Sequence, residues 1–233
     1  GRMKLSIHAL VIESDGQIII VDTCCGNNKD RPGAPAFDNL DTDFLGELSR
    51  CGFSPLDVDV VLSTHLHVDH VGWNTQLIDG TWVPTFPNAE YLFVRPEFEH
   101  WAAEPQDYGP VFEDSVQPII DAGLATVVEA DHQVTADISL ELTAGHTPGH
   151  VSVVIESGND IALITGDMTH HPVQFAHPEM ASSADWRQDM STATRFEAYG
   201  KWSDGRLVIG THFAGRTAGR LKPVGDAWSF EVA

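Results

Sequence analysis

Four side chains that could bind a metal ion occur within a single stretch of six residues, His-Leu-His-Val-Asp-His. Imidazole nitrogens and carboxylate oxygens together suit zinc, iron, manganese or cobalt, whereas calcium prefers oxygen ligands alone. The stretch follows the apolar run 58–62 after Ser63 and Thr64, and that run predicts a short buried strand. A strand end that carries such residues indicates a metal site, and the alternative is a histidine-rich polar loop. The four candidates are His65, His67, Asp69 and His70.

Three more residues of ligand type follow apolar, strand-like runs in the second half of the chain. They are His146 in Thr-Ala-Gly-His-Thr-Pro-Gly-His, Asp167 in Ile-Thr-Gly-Asp, and His212 in Val-Ile-Gly-Thr-His. Turn-forming residues lie beside each of them. We therefore expect several strand ends to bring their ligands together along one edge of a sheet or sandwich.

The elements that must position these residues form two β-rich halves, each with helices. No linker, low-complexity tract or short repeat separates the halves. Segment 26–39, rich in Gly, Pro, Asn and Asp, is expected to be a surface loop, and segment 80–88, which contains Pro and Trp, is expected to be a loop. Strands are predicted at 4–13, 17–22, 58–62, 91–94, 126–129, 138–143, 151–156, 161–165, 206–209, 217–221 and 227–232, and helices at 41–51, 96–103, 113–123 and 185–201.

The order His-x-His-x-Asp-His, Gly-His, Gly-Asp, His resembles the metallo-β-lactamase superfamily of binuclear metallohydrolases. The resemblance extends from Val21-Asp22-Thr23 to His212, nearly the whole chain. It implies an α/β fold, the αβ/βα four-layer sandwich, formed by residues 1–233 as a single domain that lacks some native N-terminal residues. Within the superfamily the chain resembles the acyl-homoserine lactonase-like and methyl parathion hydrolase-like group.

The resemblance also implies roles for the candidate ligands. His65, His67 and His146 would form a first metal position, Asp69, His70 and His212 a second, and Asp167 would bridge the two. Two divalent ions, zinc in the first place and iron, manganese or cobalt as alternatives, would share a water whose pKa falls toward neutrality. The resulting hydroxide would attack the substrate.

Four residues receive further roles from the same resemblance. Asp69 would be catalytic as well as a ligand, because it could orient the nucleophile or pass a proton to the leaving group. His170 would be catalytic because it lies where related lactonases commonly have a tyrosine that donates a hydrogen bond to the substrate carbonyl. Asp22 would support the metal loop from behind, and His150 is expected to have a supporting rather than a ligating role.

The substrate class has more than one candidate. Asp167 argues against the β-lactamases, and the few residues after His212 argue against a glyoxalase II domain. A lactone or related uncharged ester is the favoured substrate, and an organophosphate triester is the alternative. A catalytically silent metal-binding or redox module is the alternative that is not an enzyme.

Composition restricts the partners. Lys and Arg number 13 and Asp and Glu 34 among 233 residues, so the net charge is −21, which disfavours nucleic acids and anionic membranes. No apolar run is long enough to span a bilayer, and we expect no secretory leader. We expect a small-molecule substrate, no nucleic-acid or membrane partner and a cytoplasmic location, and a homodimer is left open.

Two groups of residues have alternative interpretations. Three cysteines, Cys24, Cys25 and Cys51, are expected to be reduced, and Cys24 or Cys25 could instead serve as a soft metal ligand. Aromatic residues near the metal motif could line an apolar substrate pocket or belong to the core. These are Trp73, Trp82, Phe86, Phe98 and Trp101.

Overall fold

Residues 3–233 are described by a computed structural model, in which they fall into two units. The N-terminal unit comprises residues 8–128, and the C-terminal unit comprises residues 129–233 together with residues 3–7. Gly1 and Arg2, at the start of the sequence where no secretory leader is expected, lie outside the described residues.

The N-terminal unit is built on a sheet of five strands. The five strands of the sheet are β1 (Leu10–Ser14), β2 (Gln17–Val21), β3 (Val60–Leu62), β6 (Glu90–Val94) and β7 (Ala125–Val128). Strands β4 (Thr75–Ile78) and β5 (Thr81–Pro84) form a separate hairpin. The sheet order is β1-β2-β3-β6-β7, and every pair except β1–β2 is parallel. All three residues of β3 are buried, as is typical of a central parallel strand. Its helices are α1 (Phe44–Arg50), α2 (Arg95–Ala103), α3 (Val111–Ser115) and α4 (Gln117–Asp121).

The C-terminal unit contains a sheet of six strands. These are β8 (Ile138–Leu142), β9 (Val151–Ser157), β10 (Asp160–Ile164), β11 (Leu207–Ile209), β12 (Ala218–Val224) and β13 (Ala227–Val232). The order is β13-β12-β11-β10-β9-β8, and only β10 and β11 pair in parallel. Helices α5 (Val173–Ala176) and α6 (Gln188–Trp202) supply buried aromatic residues to its core, among them Phe175, Tyr199 and Trp202.

Several elements differ from the sequence prediction. The strand expected at 4–13 is confined to Leu10–Ser14, and strand β4 and helix α5 were not predicted. The helix expected at 113–123 is two short helices, because Pro118 has no N–H to continue α3 and lies instead in the first turn of α4. The loop expected at 80–88 contains strand β5, which pairs with β4 across Asp79 and Gly80. Both turn residues have positive φ, 49° and 78°, the conformation that two-residue hairpin turns require.

No helix among residues 3–233 is long and apolar enough to cross a membrane.

Segment 26–39 lies on the surface only in part, because Lys29 and Arg31 are fully buried. Arg31 donates two hydrogen bonds to the carboxylate of Asp114, at 2.6 and 2.7 Å, and Lys29 Nζ lies 3.2 Å from the same carboxylate. Lys29 also donates to Thr75 Oγ1 and lies over the ring of Trp82, 3.7 Å from its centroid. Burial lowers the pKa of Lys29 to about 8 against the opposing pull of Asp114. One carboxylate thus compensates two buried cations.

Replacing Asp114 with Asn should destabilise the protein, because an isosteric neutral side chain would leave both cations without a counter-charge. We expect a loss of about 3–5 kcal/mol in the free energy of unfolding, measured by urea denaturation. Asp121→Asn is the matched control, since this exposed carboxylate only accepts a hydrogen bond from Gln117. Its effect should stay within about 0.5 kcal/mol. Equal destabilisation by the two variants would contradict the ion-pair account.

Candidate metal centre

The N-terminal unit presents its candidate ligands on the loop that follows β3. His65, His67 and His70 are buried, with at most 7% of the residue exposed. His65 Nδ1 lies 3.1 Å from Thr64 Oγ1, whose hydroxyl donates to Asp22, so Thr64 Oγ1 accepts the proton of His65. The other ring nitrogen, Nε2, faces His67 Nδ1 at 3.1 Å. Two imidazole nitrogens from one strand end therefore converge on a single point.

Asp22 fixes this loop from the neighbouring strand. Because β2 and β3 are parallel neighbours, Asp22 after β2 and Thr64 after β3 lie at the same edge of the sheet. The Asp22 carboxylate accepts hydrogen bonds from the Thr64 amide at 2.8 Å and from His70 Nδ1 at 2.9 Å. The supporting contact expected of Asp22 is thus present. It leaves His70 Nε2 pointing away, 3.6 Å from Asp69 Oδ1.

The backbone after Asp22 packs closely against the backbone after His70. The Thr23 amide donates to the His70 carbonyl at 2.6 Å, and the Gly72 amide donates to the Cys24 carbonyl at 2.7 Å. A Cβ on Gly72 would lie 1.8 Å from the Cys25 carbonyl carbon, so only glycine fits there. The approach of two backbones therefore sets the position of the ligand loop.

One side of His67 is lined by aromatic rings. The rings of Trp101 and Tyr108 lie 5.4 and 5.8 Å from the His67 ring, centroid to centroid. The buried carboxylate of Glu97 orients Trp101, accepting from its indole N–H at 2.6 Å, and also accepts from the Leu66 amide at 3.0 Å. The same carboxylate thus holds both the ligand loop and the ring beside it.

The other aromatic residues considered for a substrate pocket make packing contacts within the N-terminal unit. Among the five, Trp101 is the one whose ring contacts a candidate ligand in this unit. The core interpretation therefore fits the remaining four. Trp73 stacks on Phe44, Trp82 lies under Lys29, Phe98 stacks on Phe93, and Phe86 is fully buried.

In the C-terminal unit, three imidazoles surround the carboxylate of Asp167. His146 Nε2 and His170 Nε2 lie 3.4 and 3.3 Å from Asp167 Oδ2, and His212 Nε2 lies 2.9 Å from Oδ1. Asp167 follows β10 and His212 follows β11, the parallel pair, so both come from the same edge of the sheet. His146, Asp167 and His170 each offer an atom within 4.8 Å of the other two.

The distal nitrogens of these histidines show where the protons are. His146 Nδ1 donates to Asp185 at 2.9 Å, and His212 Nδ1 donates to the Ser6 carbonyl at 2.8 Å. In a neutral imidazole whose Nδ1 is protonated, Nε2 carries a lone pair, so His146 and His212 each direct a lone pair at the Asp167 carboxylate. Acceptors so close together need a positive charge among them. Protonating several buried imidazoles around one carboxylate would leave uncompensated buried charge, so a divalent cation fits this donor set better.

His150 lies behind Asp167, as expected of a supporting residue. Its Nε2 accepts from the Asp167 amide at 2.8 Å, so its Nδ1 carries the proton and donates to Thr143 Oγ1 at 2.8 Å. Thr143 then donates to Ser152 Oγ, which donates to the Thr165 carbonyl. Because every proton in this chain of contacts has an acceptor, the backbone at Asp167 is held in one position.

Asp185 is a functional contact that sequence reasoning missed, since it was assigned only to the start of a predicted helix. Its carboxylate accepts from His146, from Ser191 Oγ at 2.8 Å and from the Ser182 amide at 3.0 Å. Burial opposes ionisation, but these hydrogen bonds hold the pKa of Asp185 below its ordinary value. The buried guanidinium of Arg195 lies 3.6 Å away. No spacing signal links residues 146 and 185.

The cysteines carry no sign of a ligand role. All three are free thiols, and only Cys51 is exposed. Burial, together with the negative charges of Asp22 and Asp69, raises the pKa of Cys24 to about 12. Burial also raises the pKa of Cys25. The groups of described residues that could hold a metal ion consist of histidines and aspartates and include no cysteine.

Comparison with known proteins identifies the family. The sequence pattern of the Metallo-beta-lactamase superfamily matches residues 3–201. An N-acyl homoserine lactonase of Bacillus cereus is 30% identical over 129 residues, which are 55% of this chain and 45% of that protein. The lactonase AttM of Rhizobium radiobacter is 29% identical over 187 residues, 76% of this chain and 66% of that protein.

A solved structure gives the same result for the fold. AidC, a dizinc quorum-quenching lactonase in complex with a product, superimposes with a TM-score of 0.80 at 23% identity, covering 98% of this chain and 80% of that one. The predicted α/β metallo-β-lactamase fold and the likeness to the lactonase group are confirmed. This chain spans about half the length of the first curated relatives it matches. With a family match over residues 3–201, the chain belongs to the metallo-beta-lactamase superfamily.

Proposed function

We propose that this protein is a binuclear metal-dependent hydrolase that acts on lactones or related uncharged esters. The observation that carries the proposal lies in the C-terminal unit, where His146 and His212 face the carboxylate of Asp167 through Nε2. The Nδ1 proton of each of these histidines is donated to an acceptor on the far side of the ring. Membership of the superfamily and relatives named as N-acyl homoserine lactonases support it.

Seven residues would hold two divalent ions, zinc in the first place. His65, His67 and His146 would form one position, Asp69, His70 and His212 the other, and Asp167 would be shared. The ions would supply Lewis acidity and lower the pKa of a bound water. Because the proposed ligands come from both units, we propose that residues 1–233 act as one domain.

Two residues of the chain would act on the reactants. The Asp69 carboxylate, whose side chain is 13% exposed, could accept the proton of the hydrolytic water and return it to the leaving oxygen. His170 has its amide fixed by Gln174 Oε1 at 2.8 Å, and its Nδ1 is buried without a hydrogen-bond partner among the described residues. His170 would donate a hydrogen bond from a protonated ring nitrogen to the substrate carbonyl.

The preference for an uncharged substrate with an apolar part rests on two features. Trp101 and Tyr108 give His67 an aromatic neighbour on which an acyl chain could pack. The net charge of −21 repels anionic substrates over a long range but leaves a neutral lactone or ester unaffected.

A hydrolysis panel on one sample of measured metal content tests the proposal. Acyl-homoserine lactones and simple lactones would be compared with paraoxon, a β-lactam and a thioester, before and after chelation. We expect lactone turnover that chelation abolishes and zinc restores, with about two ions per chain. Turnover of the phosphotriester alone would replace the substrate assignment. Two bound ions without any turnover would favour a silent metal-binding module.

Asp185→Asn should weaken metal binding, because the amide cannot hold the His146 tautomer as firmly as a carboxylate does. Loss of such a supporting partner typically lowers metal affinity about 10–100-fold. Competition with a chromophoric chelator would measure the zinc affinity. Asp189→Asn is the control, since this exposed carboxylate forms its ion pair with Arg187, two residues earlier in the chain. Unchanged affinity in Asp185→Asn would remove the supporting role.

His170→Phe should lower kcat on the best lactone while both ions remain bound, because the aromatic ring cannot donate to the carbonyl. Removing one such donor typically costs about 100-fold or more in kcat. Steady-state kinetics with metal analysis on the same sample would check this. His177→Phe is the control, because His177 is exposed and pairs with Glu179. Wild-type kinetics in His170→Phe would return His170 to a packing role.

A further inference from the structure

The ligand candidate His212 is held by main-chain atoms from the start of the chain. Residues 3–7 belong to the C-terminal unit, where Leu5 forms an isolated antiparallel bridge with Phe213. The Ser6 amide donates to the His212 carbonyl at 3.0 Å, and His212 Nδ1 donates to the Ser6 carbonyl at 2.8 Å. One residue near the N-terminus thus contacts both the backbone and the ring of His212.

The ring contact fixes the tautomer of His212. A carbonyl oxygen only accepts, so Nδ1 carries a proton; in the neutral ring the lone pair is then on Nε2, the atom that faces Asp167. Asp185 and Asp22 do the same for His146 and His70, but they use side-chain carboxylates. For His212 the acceptor is a peptide group, which no side-chain substitution at position 6 removes.

The backbone contact fixes where the ring can point. Strand β11 has only three residues, and two more residues precede His212. The next residue, Phe213, is fully buried and packs edge-on against the stacked rings of Phe175 and Phe230, at 5.7 and 5.4 Å between centroids. With Phe213 anchored on one side and Ser6 hydrogen-bonded on the other, His212 has little freedom to rotate.

We propose that the main chain of Ser6 is a positioning element for His212 and sets the affinity of the metal position to which His212 contributes. The inference rests on the proposed function only for the identity of the bound ion; the tautomer of His212 is a property of the chain itself. It predicts that the Ser6 hydroxyl is dispensable and that its peptide group is not.

Two substitutions separate the main chain from the side chain. Ser6→Pro removes the amide that donates to His212, and an extended Leu5 tolerates a following proline. Ser6→Ala keeps both main-chain groups and removes only the hydroxyl. We expect Ser6→Pro to bind the second zinc about 10–100-fold more weakly, with the first unaffected, and Ser6→Ala to match the wild type. Circular dichroism would confirm that both variants are folded.

A backbone change tests the acceptor itself if Ser6→Pro does not fold. Cys24 offers a ligation junction, so residues 1–23 can be synthesised with an ester in place of the amide between Ser6 and Ile7. The ester makes the Ser6 carbonyl a weaker acceptor, and the all-amide ligated chain is its control. We expect weaker zinc binding at one position and a changed cobalt absorption spectrum.

Nitrogen NMR of the imidazoles decides the inference without any metal or substrate. In the metal-free wild type, the neutral His212 ring should be the Nδ1–H tautomer, and the ester variant should show a mixture. A single unchanged tautomer in the ester variant, or two zinc ions bound with wild-type affinity in both backbone variants, would overturn the proposal. Equal loss of zinc in Ser6→Ala would also overturn it. If the wild type fails to bind two ions, the proposed function fails, while the tautomer measurement still tests Ser6.

Discussion

A histidine can offer a lone pair from one ring nitrogen only while its other nitrogen keeps a proton, and the candidate centre depends on where that proton is held. Three kinds of acceptor hold these protons: a carboxylate for His70 and His146, a peptide carbonyl for His212, and a hydroxyl for His65. The acceptors on Asp22, Asp185 and Thr64 are buried and hydrogen-bonded to further groups, so those rings are oriented before any ion arrives. Preorganisation of this kind reduces the entropy lost when a ligand set forms.

The same requirement explains why charged residues lie inside both units. A carboxylate that orients a buried imidazole must itself stay ionised, which is costly away from water. In the C-terminal unit, Arg195 and hydrogen bonds from Ser191 and Ser182 keep Asp185 charged. In the N-terminal unit, Asp114 has a comparable role toward Lys29 and Arg31, but there it fastens a long loop. Buried ion pairs in this protein therefore hold segments that no regular secondary structure would fix.

The sequence was most informative where chemistry and secondary structure coincide. The seven candidate ligands follow apolar strands, and a residue type that binds metal at a strand end is visible without coordinates. Asp185 and Ser6 are not visible in this way, because their contacts span 39 and 206 positions and one of them uses only the main chain. The burial of Arg31 was also hidden, since its partner Asp114 is 83 residues away and the local composition is that of a surface loop. The hairpin at Asp79-Gly80 was missed although its turn signal was present.

The close approach of Gly72 to Cys25 has a consequence for transplanting this motif into another protein. A loop copied from His65 to His70 would carry the ligands but neither the backbone that accepts from Gly72 nor the carboxylate of Asp22. The smallest unit that can be moved is therefore two separate segments, 22–26 and 63–73, on adjacent parallel strands. A recipient sheet without two adjacent parallel strands would receive the ligand residues but would not orient them. A transplant must therefore include both strand ends, because the sequence motif alone is not sufficient.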